Sequence, residues 1–107
     1  MILRSALLLG TVAPDDQPAF DAYMRDVVVP EIGTYPGIQG VTLRKLVQAD
    51  EGAPALYMQF DLLFDSLADM DAALASPVRT AVRDRIKAGM APFVGTVTHV
   101  VSETMAG

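Results

Sequence analysis

The chain has 107 residues, 51% of them apolar and 20% charged, with no cysteine and a formal net charge of −5 at neutral pH. This length makes one domain, residues 1–107, and so much apolar content with so little charge excludes a disordered polymer. The missing cysteine excludes disulfides, thiolate nucleophiles and cysteine-held metal centres, and the acidic balance argues against nucleic acid, whose phosphates need a basic surface.

Residues 2–12 read as an apolar strand closed by the turn Pro14-Asp15-Asp16. The same stretch, with Arg4 ahead of a short apolar run, has the outline of a signal peptide. Its positive region is a single arginine and Pro14 follows at once, so a buried strand is the better account. No stretch approaches the roughly 18 apolar residues of a membrane span, and a cytoplasmic protein is expected.

Asp15 or Asp16 is placed to cap a helix that tolerates Pro18 in its first turn, where the missing amide would be unbonded anyway. Phe20, Tyr23, Met24, Val27 and Val28 make its apolar stripe. Pro30 should end or kink it, because proline cannot bond back to Asp26. After turns at Gly33 and Pro36-Gly37, residues 38–48 alternate as a strand. Val41, Leu43, Lys45 and Val47 lie on one side, with Thr42, Arg44, Leu46 and Gln48 on the other.

The polar segment Asp50–Pro54 punctuates a hairpin, and residues 55–64 alternate again. Leu56, Met58, Phe60 and Leu62 face one way; Tyr57, Gln59, Asp61 and Leu63 face the other. Ser66 with Asp69 resembles a capping box ahead of Leu67, Met70, Ala73 and Leu74. Ser76-Pro77 reads as the N-cap and first position of another helix, with Val78, Ala81, Val82, Ile86 and Met90 inside. Residues 93–102 form a last, β-branched strand.

The order β-α-β-β-α-β is the α+β, ferredoxin-like split arrangement: a four-stranded antiparallel sheet with its helices on one face. The helix-free face would carry Leu8, Leu46 and Leu63, too apolar to leave to water. Its simplest cover is the same face of a second copy, giving a two-fold homodimer that encloses a barrel-like interior, a dimeric α+β barrel.

The run from Phe20 through Tyr23, Pro30, Pro36, Gly37 and Ile38 resembles the opening of the EthD-like family of dimeric α+β barrels. Residues 64–77 resemble that family's second-helix region, so the likeness spans nearly the whole chain in order. It implies accessory proteins near catabolic oxygenase systems, within an architecture that also hosts cofactor-free monooxygenases, isomerases and cyclases. Val28 stands where the family pattern has histidine, and Glu31 where it has an apolar residue. No role of that histidine therefore transfers.

His99 is the only histidine, hence the only side chain that ordinarily titrates near neutrality. It is either a proton-transfer group facing the barrel or a core histidine bonded to the backbone, and strand alternation alone leaves both open. One histidine without spaced carboxylates is too little for a transition metal, so neither metal nor cofactor is expected. Period-two geometry aims Tyr57, Gln59 and Asp61 at the helix-free face, together with Arg44 and Arg4. These residues either floor a ligand pocket, with Tyr57 a second proton-transfer candidate, or bond across the subunit interface. Pairing with Asp61 is the economical role for the arginines. Tyr23 could point its hydroxyl into a cavity, but core packing is the better reading. Arg79, Arg83 and Lys87, at intervals of four, read as a solvated outer stripe.

Three functions follow. The first is a homodimer binding a small apolar, oxygenated metabolite for a catabolic or secondary-metabolite pathway. The second is a non-catalytic interaction protein whose barrel is filled by its own side chains. The third is a cofactor-free monooxygenase or isomerase using His99 or Tyr57.

Overall fold

The first strand, β1 (Ile2–Val12), carries large apolar side chains on both of its sides, so neither side can be left fully to water. In the computed structural model, which describes all 107 residues, it lies inside the sheet between two neighbours. The other strands are β2 (Gly40–Lys45), β3 (Leu56–Phe64) and β4 (Phe93–Glu103). The order across the sheet is β2-β3-β1-β4 and every pairing is antiparallel. This is the ferredoxin-like α+β arrangement expected from the element order.

Register decides which residues face the helices. Ile2, Arg4, Ala6 and Leu8 stand opposite Phe64, Leu62, Phe60 and Met58 on β3. On the other flank Arg4, Ala6 and Leu8 stand opposite Val101, His99 and Val97 of β4. Since cross-strand partners share a side, all of these point to the helix-covered face. Its centre is the core, in which Phe64, Met24, Met58 and Val28 are the largest fully enclosed side chains. Leu8 belongs to that core, not to the helix-free face to which alternation in the sequence assigns it. Leu63 does take the helix-free face, opposite Leu3, and Leu46 lies exposed beyond the end of β2.

The first helical stretch runs through Pro30. It starts with a 3-10 turn at Pro14–Asp16, continues as α1 (Gln17–Tyr23), widens into a π turn at Met24–Val28 and ends as α2 (Val29–Ile32). A proline inside a regular helix removes one amide donor and clashes with the carbonyl four residues back. The π turn just before Pro30 displaces that carbonyl and shifts the bonding frame by one residue, so the helix continues where the sequence pointed to a break or kink. Neither Asp15 nor Asp16 caps through its side chain; instead the amides of Asp16 and Gln17 bond the Ala13 carbonyl.

Ser66 caps α3 (Leu67–Leu74) as expected, its Oγ accepting from the Asp69 amide at 3.1 Å. Ser76 does not cap α4 (Val78–Gly89). Its hydroxyl donates backwards to the Ala73 carbonyl at 2.6 Å, satisfying the end of α3, while Pro77 takes the cap position.

Candidate functional site

A cavity of about 110 Å³ lies between the sheet and the helices. The sheet contributes Arg4 and Ala6 from β1, Phe60 and Leu62 from β3, and His99 from β4. Ile32 and Tyr35 close it from the end of α2 and the turn that follows, and Leu74 from the end of α3. Its remaining wall is α4, through Arg79, Val82, Arg83 and Ile86. Those positions are spaced three and four apart and therefore share one face of the helix. Of the stripe expected to be solvated, Arg79 is half-buried beside Val82, Arg83 borders the cavity while remaining exposed, and Lys87 is exposed as expected.

The electrostatics of this cavity are one-sided. Arg4, Arg79, Arg83 and His99 line it together with Tyr35, and no carboxylate does. The chain makes three ion pairs, Arg25–Asp26, Arg44–Asp61 and Lys45–Asp21, and none uses a cavity arginine. Arg79 Nη1 donates at 3.4 Å to the Leu74 carbonyl, which fixes its direction without neutralising it. Burial, and then repulsion from Arg79 and Arg83, lowers the Arg4 pKa. Partial burial, followed by the charges of Arg4, Arg79 and Arg83, holds the His99 imidazole below its ordinary value. Burial raises the Tyr35 phenol. At neutral pH the site therefore offers a neutral imidazole, a protonated phenol and a group of fixed guanidiniums. Such a set can accept a proton at His99 and hold negative charge on a ligand oxygen.

Of the candidate ligand or proton-transfer residues read from the sequence, only His99 and Arg4 reach this cavity, and Arg4 does so from the side opposite to the expected one. Tyr57 is also displaced. The pairing of β3 with β1 slips between Leu8 and Leu9, leaving Tyr57 as an extra residue on β3. Such a bulge breaks strict alternation. It turns Tyr57 to the helices, where its hydroxyl donates to Asp21 of α1 and its ring packs edge-on against Phe20. Lys45 joins the same carboxylate at 2.6 Å and lies 5.4 Å from the Tyr57 ring centre. Burial and the Asp21 bond raise the Tyr57 pKa, so this phenol fastens α1 to the sheet and does not touch the cavity.

Gln59, Asp61 and Arg44 do share the helix-free face, as alternation requires. Asp61 is buried there and accepts from Ser5 Oγ at 2.6 Å, Gln59 Nε2 at 2.9 Å and Arg44 Nε at 3.4 Å. Pairing between Arg44 and Asp61 is thus the arrangement found. Tyr23 is a packing residue: its hydroxyl donates to the Arg85 carbonyl at 2.6 Å, and its ring lies against Gly89, where any side chain would collide with it. No group of three or more histidine, aspartate or glutamate side chains stands close enough to hold a metal ion.

Comparison with solved structures finds the same architecture end to end. An EthD family protein from Bacillus halodurans superposes with a TM-score of 0.75 at 19% identity, covering 98% of this chain and 100% of its own. The chain has the EthD-type fold. SnoaB, a cofactor-independent oxygenase from Streptomyces nogalater, matches at a TM-score of 0.64 and 17% identity over 99% of this chain and 94% of its own. An antibiotic biosynthesis monooxygenase matches at 0.62 and 15% identity over 99% of this chain and all of the other. No protein-family model matches the sequence, and no curated protein matches it. An EthD-type fold hosts differing chemistries, so the site has to be read from its own side chains.

Tyr35, Arg79 and Arg83 are the residues that sequence reasoning missed. The signal for the arginines was their spacing, since positions 79 and 83 frame Val82 and precede Ile86 on one apolar face. Tyr35, in a turn outside any periodic element, offered none.

Proposed function

We propose that this chain is a cytoplasmic, homodimeric protein that binds a small apolar, oxygen-bearing metabolite in the cavity between sheet and helices. It serves as an accessory to a catabolic or secondary-metabolite pathway. One observation carries the reading: an apolar-walled cavity into which a few polar groups converge without being used up by the protein itself. Its size is of the order of the roughly 150 Å³ known to accept a benzene-sized guest. A barrel filled by its own side chains fits this less well.

The dimer is supported by the helix-free face, where Leu3, Leu7, Leu9 and Leu63 stay partly exposed. It is supported too by β4, an edge strand of 11 residues on which Val94, Val97, Val100 and Val101 are 42–71% exposed. An edge this long and apolar invites a partner. Light scattering should report a dimer for the native chain and a monomer for Leu63→Asp, which would bury an unpaired charge in the interface. A Leu63→Asp protein that remains dimeric rejects this face. Native mass spectrometry of the same sample should show extra mass from a retained small molecule.

A second reading is favoured by His99. A neutral imidazole beside cationic donors is the pairing a cofactor-free proton abstraction needs, and SnoaB is described as a cofactor-independent oxygenase. Tyr57, bonded to Asp21 away from the cavity, has no part in it.

A further inference from the structure

Eight lysine and arginine side chains serve a chain with 13 carboxylates, yet three of those eight meet at one cavity that has no carboxylate in its lining. Gathering like charges is unfavourable, and partial burial makes it more so. Of the other five cations, Arg25, Arg44 and Lys45 each pair with an acid, and Arg85 and Lys87 are exposed on α4, so this cavity is the one place where unpaired cations converge. Repulsion among them is part of what lowers the Arg4 pKa. An isolated structural arginine would be expected to carry its own counter-ion or to reach solvent entirely. Here Arg4 instead sits on the helix-covered side of the central strand, opposite Leu62, and Arg79 is held in direction by the Leu74 carbonyl.

We infer that the cavity takes a small organic carboxylate, with an apolar ring or short chain lying against Phe60, Leu62 and Val82 and its anionic group held by Arg4, Arg79 and Arg83. The guanidinium fork matches a carboxylate bidentately, which a lysine or a hydroxyl group could not do. The protonated Tyr35 phenol adds a donor that an anion can accept, whereas a carboxylic acid on the protein would repel it. A bare inorganic anion would leave the apolar wall unused, so the guest must have both parts. This inference rests on the cavity being the binding site, as proposed above, and narrows the ligand to an anion.

The test is an amide-resolved NMR titration of the full chain with benzoate and with its neutral isostere benzamide. Benzoate should bind at least about tenfold tighter, a difference of about 1.4 kcal/mol, with shifts confined to residues around the cavity. Arg79→Gln and Arg83→Gln should abolish the preference for benzoate while leaving benzamide affinity within about twofold. Arg83 is exposed enough that its variant tests the point even where replacing Arg4 or Arg79 unfolds the chain. Arg25→Gln, on an exposed arginine paired with Asp26, should change nothing. Equal binding of both compounds would overturn the anion assignment and leave the cavity reading intact. Failure of both to bind would remove the cavity reading and the anion with it. Inorganic phosphate binding at the cavity as tightly as benzoate would overturn the assignment to an organic carboxylate.

Discussion

Replacing Asp61 with alanine separates two accounts of the polar network on the helix-free face. In the first, Asp61 is an ion-pair partner of Arg44; in the second, it is the shared acceptor that satisfies buried donors. The geometry favours the second. Ser5 and Asp61 are 5% and 7% exposed, and the bond between them is 2.6 Å long. The Arg44 side chain is 69% exposed and its contact is stretched to 3.4 Å. A hydrogen bond to a charged acceptor contributes about 1.5–3 kcal/mol, and a buried donor stranded without one adds to the loss. An exposed ion pair contributes about 0–1 kcal/mol. Asp61→Ala should therefore cost about 2–4 kcal/mol and Arg44→Ala less than about 1 kcal/mol. With about 4 °C per kcal/mol for a domain of this size, the thermal midpoints should fall by about 8–16 °C and by less than about 4 °C respectively. Scanning calorimetry reads both at one fixed protein concentration, which keeps any self-association the same for the two variants. High salt should shrink the Arg44 effect and spare that of Asp61. Equal losses for the two variants would refute the shared-acceptor account.

Three further outcomes are expected. Gly89→Ala would put a methyl carbon 2.3 Å from two ring carbons of Tyr23, costing about 1–3 kcal/mol through overpacking. Trimming Tyr23 to leucine should relieve most of that penalty in a double-mutant cycle, and an additive cycle would count against the contact. Gly10→Ala would place its new carbon 2.1 Å from the Val94 carbonyl oxygen, where β1 and β4 pass Gly10 against Gly95, itself at a φ of +151°. The strands must part there, so a loss above about 3 kcal/mol is expected in urea unfolding, and a mild effect would show that the ladder is looser than described. His99 has a lowered pKa in the folded chain, so its contribution is present above the ordinary histidine value of about 6.5. That contribution is lost as pH falls through the lower folded value, because the unfolded chain binds the proton more readily. His99→Gln should flatten this part of the stability profile on the acid side of neutrality, and an unchanged slope would assign the acid sensitivity elsewhere.

How far the fold could be read from the sequence follows from where periodicity is clean. Met58, Phe60 and Leu62 alternate without ambiguity, and with the turn at Pro36-Gly37 and the serine cap at Ser66 they fix the order of elements. β1 is different. Leu3, Leu7 and Leu9 lie on one side and Ile2, Ala6 and Leu8 on the other, so composition cannot say which side meets the helices. Alternation alone therefore puts Arg4 and Leu8 on the helix-free side, and only the register with Leu62 and Met58 places them against the helices. A one-residue slip has the same consequence at Tyr57, where the bulge defeats alternation at a single position. His99 could not be placed by its own strand because valines flank it on both faces, whereas its pairing with Ala6 places it at once. The π turn ahead of Pro30 left no trace in the residue pattern, since apolar side chains fill that stretch at both α and π spacing.

The two polar groupings of this molecule are opposite in character, and the contrast carries the functional argument. On the helix-free face every partner of Asp61 is identified, and the acid answers Ser5, Gln59 and Arg44 together. A carboxylate engaged by three donors in this way holds strands in register and is not itself a free group for a ligand. In the sheet–helix cavity the guanidiniums of Arg4, Arg79 and Arg83 have no acid, and His99 makes no bond that would fix it as a structural residue. No buried side-chain polar atom in the chain lacks a hydrogen-bond partner, so these groups keep their free valences where solvent or a guest can reach them. Free donors concentrated at an apolar concavity are expensive to retain for stability alone. Sequence alternation pointed to the helix-free face as the pocket floor because Gln59 and Asp61 cluster there, yet clustering of polar side chains marks a site only when they are not already bonded to one another.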